Sequence, residues 1–132
     1  RLNVRAQAAW LAHASLGGDP AVPLVAAELA AHQALVKAGN LTVADLSHVE
    51  LHDAFAVQGL SFAKGLGVAP ERLNLRGGGL ARGHPIGASA TIALVRLLSD
   101  LACANEAGSQ GLVAVAGAGG LGSAAVVKRL GD

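Results

Sequence analysis

Apolar and polar positions alternate loosely over residues 2–14, with Leu2, Val4, Ala6, Ala8, Trp10 and Ala12 in phase. A period of two predicts a strand there. Gly17-Gly18-Asp19-Pro20 predicts a turn. Between 23 and 38 the period lengthens. Leu24, Val25, Ala27, Leu29, Ala31, Ala34, Leu35 and Val36 fit a helix opened by Pro23 and closed by Gly39-Asn40. Thr42 caps a short turn through Leu46, and residues 47–51 form a short apolar strand with His52 at its C-terminal end. A helix over 54–65 is stopped by Gly65 and Gly67, and 68–82 is mostly loop. A long helix spans 86–103. A buried strand follows at 111–117, then another at 122–130, antiparallel to it across Ala118-Gly119-Gly120-Leu121. The succession β-α-β-α-loop-α-β-β predicts one layered α/β domain over 1–132, built on a mixed sheet. No internal repeat is visible.

Composition narrows the packing. Hydrophobic residues are 52% of the 132 positions and aromatics 2%, so Trp10, Phe55 and Phe62 are the only large rings. The core must come from Ala, Val, Leu and Ile, whose small side chains let layers approach closely. A net charge of +1, with no basic run, argues against nucleic-acid binding. No apolar stretch reaches the ~18–20 residues of a membrane span. No secretory leader or targeting tail is read in these residues, and a cytoplasmic location is expected. The chain opens on Arg1 and has no methionine, so residues upstream of it are expected. A single cysteine, Cys103, excludes an intramolecular disulfide and a cysteine-based metal cluster. Its helical apolar setting reads as a buried, inert thiol. The five histidines predict no metal site.

Gly117-Ala118-Gly119-Gly120-Leu121-Gly122 fits G-x-G-x-x-G after the strand at 112–116. A dinucleotide fingerprint also needs a helix, a second strand and an acidic residue about 20 positions on. Too little chain follows Gly122 to build them. The segment reads instead as a glycine-rich hairpin that lets backbone approach something closely, and no nicotinamide cofactor is expected.

Two histidines carry the candidate chemistry. His52 lies in Glu50-Leu51-His52-Asp53-Ala54-Phe55, and His84 in Gly77-Gly78-Gly79-Leu80-Ala81-Arg82-Gly83-His84-Pro85-Ile86-Gly87. Both sit where an apolar strand or loop runs into a helix pattern, a usual place for reactive groups in α/β folds. Five glycines and a proline around one imidazole imply close backbone control of its position. His13, His32 and His48 carry no motif and read as structural.

The block from Asn74 to Ser89, with Asn74-Leu75-Arg76-Gly77-Gly78 followed by Gly83-His84-Pro85-Ile86-Gly87-Ala88, resembles the C-terminal half of the thiolase superfamily. His52-Asp53-Ala54-Phe55 resembles the sterol-carrier-protein type, in which a histidine replaces the more usual asparagine. The segment from Ala116 to Gly122 is similar to the family's Cys-x-Gly loop. The resemblance covers most of the chain, least over residues 1–18. It implies a layered α/β/α half with a mixed five-stranded sheet. It also implies that His84 activates a cysteine thiol and helps stabilise a thioester oxyanion, and that His52 supports an oxyanion site. Ala118 and Gly119 fall on the oxyanion backbone loop. A coenzyme A thioester would be the substrate, with no bound cofactor. The partners would be an N-terminal thiolase half, in the same or a separate chain, and further copies in a dimer or higher oligomer. The helix from Ile86-Gly87-Ala88-Ser89-Ala90 would be close-packed and buried against that half.

The same resemblance exposes two absences. The nucleophilic cysteine belongs to the N-terminal half, and Cys103 does not stand in its place. The family's proton-carrying cysteines would fall at 116 or 54, and both are alanine here. Alanine moves no proton. That favours acyl transfer, decarboxylative condensation or a retro-aldol-like cleavage of an acyl-CoA over conventional thiolysis. A non-catalytic subunit that binds acyl-CoA or scaffolds a partner is the alternative.

Overall fold

The computed structural model describes residues 7–131. Four strands form one mixed sheet: β1 (Ala8–Gly17), β2 (His48–His52), β3 (Gln110–Gly117) and β4 (Leu121–Arg129), in the order β1-β4-β3-β2. β1–β4 and β4–β3 are antiparallel, while β3–β2 is parallel. Helices α1 (Ala26–Lys37) and α2 (Ala56–Leu66) lie on one face. Helix α4 (Ser89–Ala104) lies on the other, and a single turn, α3 (Gly79–Arg82), lies between α2 and α4 in sequence.

Alternation along the strands separates two cores. Val49, Leu51, Leu112, Ala114, Ala124 and Val126 meet α1 and α2, whereas Val113, Ala125 and Val127 meet α4 through Ala93, Leu97 and Leu101. Successive residues of a strand point to opposite faces, so each strand feeds both cores. α1 buries Ala26, Ala27, Ala30, Ala31 and Ala34. A Cβ on Gly122 would collide with the Ala26 carbonyl, so glycine in β4 lets α1 sit directly on the sheet. α1 is followed by Gly39 and Asn40 at positive φ, and Thr42 forms a capping box with Asp45 around the next 3-10 turn.

Several predicted boundaries shift. β1 runs on to Gly17, and the part of its predicted span at 2–6 lies outside the described residues. A bulge at Leu11 changes its phase between Trp10 and Ala12. The helix predicted from 86 starts at Ser89, because Pro85–Ala88 form a turn. Residues 68–82 hold a 3-10 turn, Pro70–Arg72, and α3. The sheet has four strands among the described residues, not five. At the outer edge of β2, where a fifth would lie, pairing amounts to one parallel bridge, Val49–Leu73. Asn74, next in the chain, turns at φ 53° and ends it.

Candidate active site

Because Val49 and Leu51 face the α1 side, Glu50 and His52 face α4. His52, the last residue of β2, is 2% exposed. His84 arrives from the other side, on the arm between α3 and α4. Gly83 turns that arm at φ 86°, ψ −177°, a conformation reserved for glycine. The two imidazoles meet at 2.6 Å, His52 Nε2 to His84 Nδ1, with ring planes 23° apart. Ser89, 3% exposed at the start of α4, gives its hydroxyl proton to the Pro85 carbonyl at 3.0 Å. Its oxygen then faces His84 Nδ1 at 3.1 Å as an acceptor. The rest of His84 is exposed.

Three hydrogen bonds and one close approach fasten the two loops together. Asn74 Nδ2 lies beside Gly78, Asn74 Oδ1 accepts from the Leu51 N–H at 2.8 Å, and the Asn74 N–H donates to the Val49 carbonyl at 3.0 Å. Asp53 Oδ1 accepts the Gly79 N–H. The glycines are required by space. A Cβ on Gly78 would strike Asp53 Oδ1 and Asn74 Nδ2, and one on Gly79 would lie 2.8 Å from the Asp53 carbonyl oxygen and 2.8 Å from the His52 ring.

Burial, then the adjacent His84, holds the His52 imidazole below its usual pKa, against the pull of Asp53. His52 is therefore a neutral ring. With a proton on His84 Nδ1, His52 Nε2 and Ser89 Oγ are both acceptors for it, and the lone pair is then on Nε2 of this exposed residue. A proton taken up at Nε2 would make the ring a donor on both nitrogens, and His52 could accept from His84 Nδ1. Behind this pair Glu50 is 1% exposed and burial raises its carboxyl pKa, only partly offset by Arg96 at 3.6 Å and by Arg82.

The other predicted residues fall as follows. Ala54 donates its N–H to Gln58 Oε1 at 3.1 Å, beside the turn into α2. Ala116 packs on the rim of the α1-side core. Ala118 and Gly119 are exposed at the β3–β4 hairpin, with Gly119 at φ 77°. The close approach expected of this hairpin is made by Gly120, whose carbonyl accepts the Gly18 N–H at 2.7 Å. His13 and His32 are exposed on β1 and α1. His48 and His52 are four residues apart, but on a strand that spacing separates them by ~13 Å, too far to share an ion. Among the described residues no His, Cys, Asp or Glu group could hold a metal. Cys103 corrects its expectation. It is exposed, because α4 buries Leu97 and Leu101 and position 103 lies on the opposite side.

With this geometry in place, the chain matches the family described as "Thiolase, C-terminal domain" over residues 4–129. The chain belongs to that family. It is 37% identical over 131 residues to an acetyl-CoA acetyltransferase of Syntrophomonas wolfei, a match covering 98% of this chain and 32% of that protein. It is 40% identical over 113 residues to the cytosolic acetyl-CoA acetyltransferase of Rattus norvegicus, covering 86% of this chain and 28% of that one. The crystal structure of the Acat5 thiolase from Ascaris suum, in complex with coenzyme A, superposes with a TM-score of 0.88 at 36% identity over 96% of this chain and 32% of that chain. The chain thus spans about a third of the length of the thiolase relatives it matches.

Within this thiolase domain, Ser89, Asp53 and Glu50 are the polar neighbours that sequence reasoning did not single out. Each had one available signal. A serine five residues beyond His84 falls on the first turn of the helix, and two carboxylates flank His52 in a stretch otherwise apolar up to Ala54.

Proposed function

We propose that this chain is the C-terminal portion or small subunit of a thiolase-like acyl-CoA enzyme, one that makes or breaks a carbon–carbon bond after acyl transfer. The observation that carries the reading is the 2.6 Å contact between His52 and His84, which engages Nδ1 of the exposed His84 and leaves its Nε2 available. A cysteine from an N-terminal half would give its S–H proton to that nitrogen. Its sulfur would attack the thioester carbonyl of acyl-CoA while the backbone around Ala118 and Gly119, with His84, stabilises the oxyanion. The carbon–sulfur bond to coenzyme A then breaks, and the departing thiolate takes the proton back from His84 Nε2. Coenzyme A thioester enters as substrate, and no resident cofactor is needed.

Two further features support the finer reading. His52-Asp53-Ala54-Phe55 supports a reading nearest the sterol-carrier-protein type. Ala54 and Ala116 offer no proton carrier, which favours a carbanion formed by decarboxylation or by retro-aldol cleavage over one formed by proton abstraction.

The need for an N-terminal half has its own support. α4 contacts β2 and β3 extensively but leaves much of the neighbouring sheet face uncovered. A cavity of about 180 Å³ opens there between Trp10, His13, Ser15, Leu94 and Ser123. Trp10 is 55% exposed and Ile86 is 82% exposed, so the close-packed setting proposed for the 86–99 stretch requires another half. The assembled enzyme would be a dimer or higher oligomer.

Incubation of the assembled protein with acetoacetyl-CoA and coenzyme A tests the reaction class. The cysteine is expected to become acylated without rapid thiolytic turnover. Robust thiolysis would overturn the decarboxylative or aldol reading, and failure to acylate would favour a non-catalytic subunit that binds acyl-CoA or scaffolds a partner.

A further inference from the structure

We infer that Asp53 is a positioning residue, whose carboxylate anchors the Gly79 backbone N–H and thereby sets where His84 meets His52. Asp53 follows His52 directly and is 8% exposed. Its Oδ1 accepts from Gly79, the first residue of α3. From Gly79 the arm to His84 is five residues long. One end is held by this bond, and the other by the Pro85–Ser89 turn, where the Ser89 N–H donates to the Pro85 carbonyl at 2.9 Å. Between them, Gly83 is bonded to Gly79, N–H to carbonyl, at 2.8 Å. A shift of Gly79 is therefore passed to Gly83 and to the residue that follows it.

The chemistry of the acceptor fits this task. A carboxylate bonded to a backbone N–H makes a charge-assisted bond, stronger than its neutral counterpart. The carboxylate also serves as acceptor for one of the first N–H groups of α3, whose preceding residue, Gly78, has no side chain to cap it. The tight fit around Gly78 and Gly79 prevents the arm from sliding past Asp53. The inference rests on the proposed pairing of His52 with His84 as one site, but the test reads imidazole geometry separately from turnover.

The experiment compares the assembled protein with its Asp53→Asn and Asp53→Ala variants, using isotope-labelled histidine and long-range nitrogen–proton correlation to read the tautomers of both rings. Asparagine retains an oxygen that can accept the Gly79 N–H. Asp53→Asn is expected to keep the paired tautomers of the parent, and Asp53→Ala to lose them while the α4-side core stays folded. Acylation of the cysteine is expected to fall about 100-fold in Asp53→Ala, with KM little changed, and to be largely restored in Asp53→Asn. Unchanged tautomers in a folded Asp53→Ala, or an Asp53→Asn as disturbed as Asp53→Ala, would overturn the inference. Should Asp53→Ala not fold, hydrogen exchange in the parent decides: Gly79 N–H protected well beyond the exposed loop amides supports the bond, and exchange at the loop rate refutes it. Absence of acylation in the assembled parent, with its two rings paired, would instead count against the proposed function.

Discussion

The same substitution at two glycines should have opposite effects, and the difference follows from the space beside each. Gly59→Ala puts a methyl into α2 where the nearest atoms are Asp53 Cβ at 3.8 Å and Leu73 Cδ2 at 4.0 Å. Those are ordinary contacts, so the helix gains and stability should rise by about 1 kcal/mol. Gly79→Ala puts a methyl 2.8 Å from the Asp53 carbonyl oxygen and from His52 Cε1, and 2.9 Å from His52 Nδ1. Carbon contacts settle near ~3.5 Å, so the ring or the arm must give by about 0.7 Å. His52 is buried, and movement of this size also lengthens its 2.6 Å contact with His84. Overpacking of this kind costs about 1–3 kcal/mol, more than α3 can recover as a helix, so Gly79→Ala should be destabilising. Urea titration of both variants measures the difference, expected at about 2–4 kcal/mol with unchanged slope. Acylation should fall about 100-fold in Gly79→Ala and stay at the parent level in Gly59→Ala. If Gly79→Ala stabilises as much as Gly59→Ala, the close approach of the arm to His52 is refuted.

The remaining predictions concern charge and exposure. Burial raises the Glu50 carboxyl pKa more than Arg96 and Arg82 lower it, so Glu50→Leu with Arg96→Leu, which removes the buried charge and its half-buried partner together, should be neutral or stabilising by about 1–4 kcal/mol in urea titrations; a double variant clearly less stable than the parent contradicts it. His52 in the folded state has a pKa below 6.5, so below about pH 6.5 the unfolded chain binds more protons and stability falls as pH is lowered. His48 acts in the same sense and buried Glu50 in the opposite one at pH above 4.5, so the comparison is with His52→Gln, which should flatten the fall; a parent-like slope would refute it. Cys103 in the isolated chain should be alkylated by iodoacetamide nearly as fast as in urea, and strong protection would contradict its exposed position on α4.

Legibility in the sequence tracked how local each determinant is. Pro23, the run Gly39-Asn40 and the hairpin glycines at 119 and 120 announce element ends through backbone geometry, and those elements stand where they are expected. The apolar runs in 111–117 and 122–130 were readable as strands because residues of both parities enter a core, Leu112 and Ala114 on one face and Val113 on the other. Ala8, Ala12 and Ala14 gave a weaker phase, which the bulge at Leu11 then breaks. The meeting of His52 with His84 was foreseeable only through the resemblance, because no spacing along the chain encodes it. Ser89, Asp53 and Asn74 act through contacts across the chain, 89 to 84, 53 to 79 and 74 to 51, and their residue types alone suit many surface turns. Cys103 was misjudged because a helix rich in Ala and Leu reads as apolar all round, while one side of α4 faces outward.

The central claim is that His84, steadied by His52, activates a cysteine supplied by an N-terminal half. Its most direct test is the rate at which acyl-CoA acylates that cysteine in the assembled protein, followed by intact mass, with and without His84→Ala. A fall of at least about 100-fold, in a variant that remains folded and assembled, is the predicted result. Acylation at the parent rate would contradict it and leave the chain as a scaffold.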